Sequence, residues 1–170
     1  ASVAALTWIG LERWKVGKPT TVGIATGAIA GLATVTPAAG YVGIGGAMVL
    51  GVLGSAVCFM AVQLVRFRWR IDDSLDVFAV HGVGGMLGSI LAAPLMAPSL
   101  GGVGFAASRS AFDQLLAQST GVVVVAAWSI AASYLLAKGL AYIVPMRVSI
   151  DAEREGLDIT SHGERAWEMD

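Results

Sequence analysis

One histidine, His81, stands in a long apolar run, with Asp76 and Arg109 as the nearest charged residues on either side. An ionisable group in such a setting is expensive to bury unless it is paired or hydrated, which makes it a functional candidate by default. A neutral imidazole both donates and accepts hydrogen bonds, which suits it to guide a small polar solute or relay a proton. The competing reading is a structural imidazole hydrogen-bonded between helices. His81 follows Asp73 by eight residues and Asp76 by five, which puts it about 12 Å beyond Asp73 along a helix. Asp72, Asp73, Ser74 and Asp76 are residues that cap orphan N–H groups and match the dipole at a helix start; Asp76 is also a candidate to shape a vestibule below the histidine. No second His, Cys or carboxylate shares the run at helical spacing, which argues against a metal site. The sequence shows no nucleophile–base pair or cofactor loop, so neither an enzyme nor a cofactor is expected. It has no basic stripe, CxxC pair or Walker-type loop, so nucleic acid is not an expected partner. Cys58 is the only cysteine, which excludes a disulfide scaffold.

The elements that must position these residues are membrane helices. The chain has 170 residues, of which 56% are hydrophobic and only 14% charged, with 22 glycines and a mean hydropathy of +0.73. Soluble domains carry about 25% charged residues. Charge is absent between Lys18 and Arg66, between Asp76 and Arg109, and between Asp113 and Lys138. Each gap exceeds the roughly 20 residues that a bilayer-crossing helix needs, so a water-soluble fold is excluded. The opening residues read as the last turns of a helix that began earlier, not as a signal peptide, and suggest a piece of a longer protein. Pro19 is expected to open a helix running to about Ala39. Further spans are expected from about Gly45 to Val65, Leu75 to Met96 and Ala111 to Ile143, the last closed by Pro145. That last helix would be about 50 Å long, against about 30 Å of hydrocarbon, and must tilt or project into water. Residues 1–145 thus read as transmembrane and 146–170 as a tail too short to bury a core of its own.

Basic residues cluster at Arg13, Lys15 and Lys18, at Arg66, Arg68 and Arg70, and at Lys138, Arg147, Arg154 and Arg165, all on one side of such a threading, with Arg109 alone opposite. The basic side and the tail are therefore expected to be cytoplasmic, with the protein in the plasma membrane. Gly23, Gly27 and Gly31, and likewise Gly84 and Gly88, recur every four residues and predict close helix packing. Thr26, Thr36 and Thr120 are expected to bond back to their own helices. Trp8, Trp14, Trp69 and Trp167 read as interface or surface anchors and Trp128 as a packing residue.

The run Asp72-Asp73-Ser74-Leu75-Asp76-Val77-Phe78-Ala79-Val80-His81-Gly82-Val83-Gly84-Gly85 closely resembles the tenth-helix motif of ammonium transporters of the Amt/Mep type. Gly27 to Ala47 resembles their eighth helix and the turn beyond it. Glu153 to Trp167 resembles their cytoplasmic C-terminus, in the Amt rather than the Rhesus branch. The resemblance implies an all-α polytopic bundle, part of an eleven-helix fold with inverted repeats, assembled as a homotrimer with one hydrophobic pore per protomer. It matches His81 to the second of two pore histidines, Val77 and Ile29 to the apolar lumen, and Asp73 to the acidic residue at the foot of the tenth helix. The first pore histidine and the outer recruitment site would lie in a half that this chain lacks.

The function implied is ammonium or ammonia transport through a histidine-lined pore, the partners being the lipid bilayer and the other protomers. The alternatives are an ammonium sensor signalling through its tail and a purely structural membrane subunit. In the tail, Gly156 and Gly163 read as turns, and Asp158, His162 and Glu164 fall in the segment that resembles a regulatory terminus. That resemblance implies a docked tail and a cytoplasmic face open to a PII-type signal protein. A solvated, partly disordered terminus is the plainer reading.

Overall fold

The computed structural model describes residues 1–164. Among these residues all regular structure is helical, and the chain divides into two compact units, the second beginning at Val125. In the first unit, α1 (Ser2–Lys15), α2 (Thr21–Val35), α3 (Ile44–Gln63) and α4 (Val83–Leu95) form a bundle. α1 packs on α2 and α3, and α4 fills the other side of the same pair. Helix α5 (Ala111–Ala141) starts in the first unit and ends in the second, where α6 (Ile150–Glu155) and α7 (Leu157–His162) come next.

The expected spans are present with shifted edges. Four helical stretches are long and apolar enough to cross a membrane: Thr21–Ala38, Ile44–Arg68, Phe78–Leu95 and Ala111–Ala141. Pro19 does not open α2. Thr20 is the cap, its hydroxyl accepting from Gly23 N–H at 2.9 Å, and Glu12 holds Thr20 in place by accepting from its N–H at 2.7 Å and from its hydroxyl at 3.1 Å. Helix α2 ends in a 3-10 turn at Thr36–Ala38 that contains Pro37, and Gly40 (φ +82°) turns the chain toward α3. The third of these begins at Phe78 rather than Leu75, for reasons that belong to the site.

The glycine rows do what their spacing predicts. A Cβ on Gly23 would strike the Glu12 carboxylate, on Gly27 the Trp8 side chain, and on Gly31 the Ala4 methyl, so α2 lies flush on the Ala4–Trp8–Glu12 row of α1. Gly54 on α3 gives room in the same way to the Thr34 side chain, and Gly88 on α4 to the Thr34 carbonyl. Thr34 is fully buried and donates its hydroxyl to Ala30 C=O at 2.8 Å. Around this contact lies a core of Trp8, Ala30, Cys58, Phe59, Val62, Val65, Ala79 and Val80. Trp8 is therefore a core residue, not an interface anchor: it is 4% exposed and meets the Phe59 ring edge-on at 5.2 Å. Trp128 is exposed, on a helix with no buried residue, so it does not pack as expected. Thr26, Thr36 and Thr120 each bond back to the carbonyl four residues earlier.

Candidate functional site

The connection between α3 and the span Phe78–Leu95 is where charge meets the apolar bundle. α3 closes in a wide π-helical turn, Leu64–Arg68, and Ile71 N–H reaches back to Val65 C=O at 3.1 Å. The chain then turns at Asp73–Asp76, with Asp76 N–H donating to Asp73 C=O at 3.0 Å and Asp76 in the left-handed region at φ +55°. A non-glycine residue there costs roughly 1–2 kcal/mol, and this break is what delays the helix by three residues.

The two carboxylates divide the work. Asp73 accepts from three backbone N–H groups, Val77 at 2.8 Å, Phe78 at 3.0 Å and Ala79 at 3.2 Å, while Val80 N–H donates to Asp76 C=O at 2.8 Å. All four orphan donors of the new helix are thereby satisfied. Asp73 is the cap that the sequence predicts. The Asp76 side chain is not. It turns away from the helix and pairs with Arg66, whose Nη2 donates to Oδ2 at 2.9 Å while Nε stands 2.7 Å from Oδ1 without a formed hydrogen bond. Burial pushes the Asp76 carboxyl above its usual range, the Arg66 guanidinium pulls it back, and nearby Asp73 adds to the rise.

The first turn of the span, Phe78–Gly82, is again π-helical, a form that is rare and recurs at functional sites. His81 sits in it. Its side chain is exposed, as are Val77 and Phe78, whereas Ala79 and Val80 are 0% and 2% exposed. Within the described residues the imidazole meets no hydrogen-bond partner from another helix. Ile29 on α2 is exposed too, next to fully buried Ala30. The three residues matched to a lumen thus all lie on the accessible surface of this chain.

In the second unit, Gly156 (φ +107°) separates α6 from α7 and Gly163 (φ +67°) ends α7, so both act as turns. Glu164 N–H donates to Asp158 C=O at 3.0 Å, and His162 closes the last turn of α7. Ser149 caps α6 by accepting from Ala152 N–H at 3.2 Å. Arg165, Trp167, Glu168 and Asp170 lie outside the described residues.

Sequence reasoning missed Arg66 as the partner of Asp76 and both π turns. Ten residues and an irregular loop separate the pair, and nothing distinguishes Arg66 from Arg68 or Arg70 in the sequence.

Residues 1–167 match the Ammonium Transporter Family. A putative ammonium transporter of Methanothermobacter thermautotrophicus is 38% identical over 173 residues, covering 99% of this chain and 42% of that protein. Ammonium transporter Amt1 of Archaeoglobus fulgidus is 40% identical over 168 residues, covering 98% and 42%. The chain thus spans less than half the length of these relatives. Among solved structures, Saccharomyces cerevisiae Mep2 superposes with a TM-score of 0.72 at 34% identity, covering 85% of this chain and 35% of that one. A structure described as "Sensor Amt Protein" superposes with a TM-score of 0.84 at 25% identity, covering 94% and 38%. On this match, and on the helical architecture shared with these structures, the chain belongs to the ammonium transporter family, a family of membrane transporters rather than enzymes.

Proposed function

We propose that the chain forms part of a membrane pathway for ammonium nitrogen, with His81, Val77 and Ile29 on the wall of its lumen and Asp73 and Asp76 at its cytoplasmic foot. The observation that carries this reading is an imidazole exposed on an apolar span, with no hydrogen-bond partner among the described residues and one turn beyond exposed Val77, in a chain of this family. A bare ammonium ion costs on the order of tens of kcal/mol to carry through low dielectric, and neutral ammonia costs far less. A pathway that takes the proton from ammonium at its mouth passes ammonia along apolar walls, with an imidazole to exchange hydrogen bonds. Potassium has no proton to give up and is refused. Proteoliposomes holding the full-length protein should accumulate labelled methylammonium and exclude potassium, and a preparation without methylammonium uptake would overturn the reading.

The same reading places the basic connections and residues 146–170 in the cytoplasm of a homotrimer in the plasma membrane. A cysteine at Ser99 should react with an impermeant thiol reagent added outside intact cells, and one at Ser161 should not, in a background where Cys58 and any other cysteine are replaced. Reversed labelling would reject the orientation. Gly156, Asp158, His162, Gly163 and Glu164 then belong to a regulatory tail offered to neighbouring protomers and to a PII-type protein. The likeness to a sensor protein's structure favours a second reading, in which the tail signals. Deleting the chain from Ser149 onward lowers uptake in the first reading and leaves uptake intact while abolishing the downstream response in the second.

A further inference from the structure

We propose that Arg66 is a positioning residue for the pathway: by gripping Asp76 it fixes the wide first turn of the span Phe78–Leu95, and with it the face on which His81 stands. The proposal rests on the pore reading of His81.

Asp76 is the charged residue that is buried among the described residues, at 8% exposure, and it is held in a strained left-handed backbone. Such strain persists only where the surroundings over-determine it. Here one guanidinium does that. Its Nη2 donates to Asp76 Oδ2 and to Ser74 C=O at 2.8 Å, and its Nε stands 2.7 Å from Asp76 Oδ1, so two acceptors of one loop and the charge of the carboxylate converge on Arg66. Asp76 passes the constraint on: its N–H holds the Asp73 carbonyl, and its own carbonyl takes Val80 N–H. The Asp73 carboxylate sets the three donors between.

This base determines rotational register. The Phe78–Gly82 turn closes with Val83 N–H on Phe78 C=O, five residues back. A π turn is not the default winding of any sequence, so its persistence depends on how its first residues are held. Relaxing it to an ordinary turn rotates one part of the helix against the other by about 100°, the angle of a single residue. Val80 is buried and His81 exposed. A slip of that size exchanges accessible and buried positions and takes the imidazole off the lumen. Arg66 is itself in the π turn that ends α3, and Asp76 stands two residues before the π turn Phe78–Gly82, so one ion pair ties the first widened turn to the base of the second. Lysine carries the same charge but as a point donor without the planar fork, so the site requires the geometry as well as the charge.

The test uses the full-length transporter in lipid bilayers, with Arg66→Lys and Asp76→Asn singly and together. Membrane yield and elution as an intact assembly should match wild type. Maximal methylammonium uptake should fall by about 10- to 100-fold, as for a displaced functional group, at unchanged KM. The double variant should do no worse than the poorer single one, because both remove the same bond. The 15N resonances of the His81 imidazole, assigned by difference against a His81→Asn sample, should move in both single variants. Lowered uptake with an unmoved His81 resonance overturns the proposal, as does wild-type uptake in Arg66→Lys. Failure of Arg66→Lys to reach the membrane assigns the fork to folding and also overturns it. The pore reading fails separately, by wild-type uptake in His81→Ala, and in that event the His81 resonance still decides whether Arg66 positions the ring.

Discussion

Replacing His81 by alanine in the full-length transporter should reduce methylammonium uptake by about 5- to 150-fold, the rate equivalent of losing a hydrogen-bonding group worth about 1–3 kcal/mol to a solute that has left water. Insertion and assembly should be unaffected, because among the described residues the imidazole is exposed and makes no contact that holds these helices together. Its buried neighbours Ala79 and Val80 keep the span against α3 and α2. The measurement is initial uptake normalised to protein in the membrane. Uptake at the wild-type rate would make His81 a bystander and remove the main support for a histidine-lined pathway.

A second large effect is expected at a residue with no part in transport chemistry. Gly88 lies where α4 crosses α2, and a Cβ there runs into the Thr34 carbonyl and toward Pro37 Cγ at 3.1 Å. A backbone carbonyl cannot rotate aside as a side-chain tip can, so Gly88→Ala must push two helices apart, at a cost of about 1–3 kcal/mol for a single added methyl. Gly85, three residues earlier on the same helix, has nothing within 4 Å of its Cβ position. There alanine should stabilise by roughly 0.5–1 kcal/mol through its better helix propensity. The two variants should therefore shift the thermal midpoint of the detergent-solubilised protein in opposite directions. If both shift upward, the close crossing of α2 and α4 is wrong.

The parts of this molecule that could be read from the sequence are those governed by one strong, local cost. Charge cannot sit in hydrocarbon, so the gaps after Lys18, Asp76 and Asp113 located the spans to within a few residues. Close helix packing demands small residues at a four-residue repeat, so Gly23, Gly27 and Gly31 announced a contact face, although not that Ala4, Trp8 and Glu12 would fill it. His81 stood out because nothing near it shares its chemistry. The rest depends on non-local or conformational facts that leave no pattern. Asp76 read as a cap because it stands at a helix start, but its left-handed backbone sends the carboxylate to Arg66 on another helix. One extra residue in a turn, as at Phe78–Gly82, does not disturb an apolar run and so cannot be seen in it. Trp8 reads as an interface or surface anchor because that is where tryptophan gathers in membrane proteins, yet its ring meets Phe59 across the bundle.

The glycine row of α2 also bears on how the protein is made. Three glycines and three threonines occupy a helix of fifteen residues, and each glycine forgoes the roughly 0.8 kcal/mol per methylene that a larger apolar side chain gains on leaving water. As it emerges from the insertion machinery, such a segment partitions into lipid less decisively than the more apolar α3. The lipid affinity it lacks is recovered only when α1 is already alongside, since its small residues form a surface for another helix and not for acyl chains. The row that lets α2 lie flush in the finished bundle therefore makes its insertion dependent on a neighbour, and ties the order of biogenesis to the order of the helices in the chain.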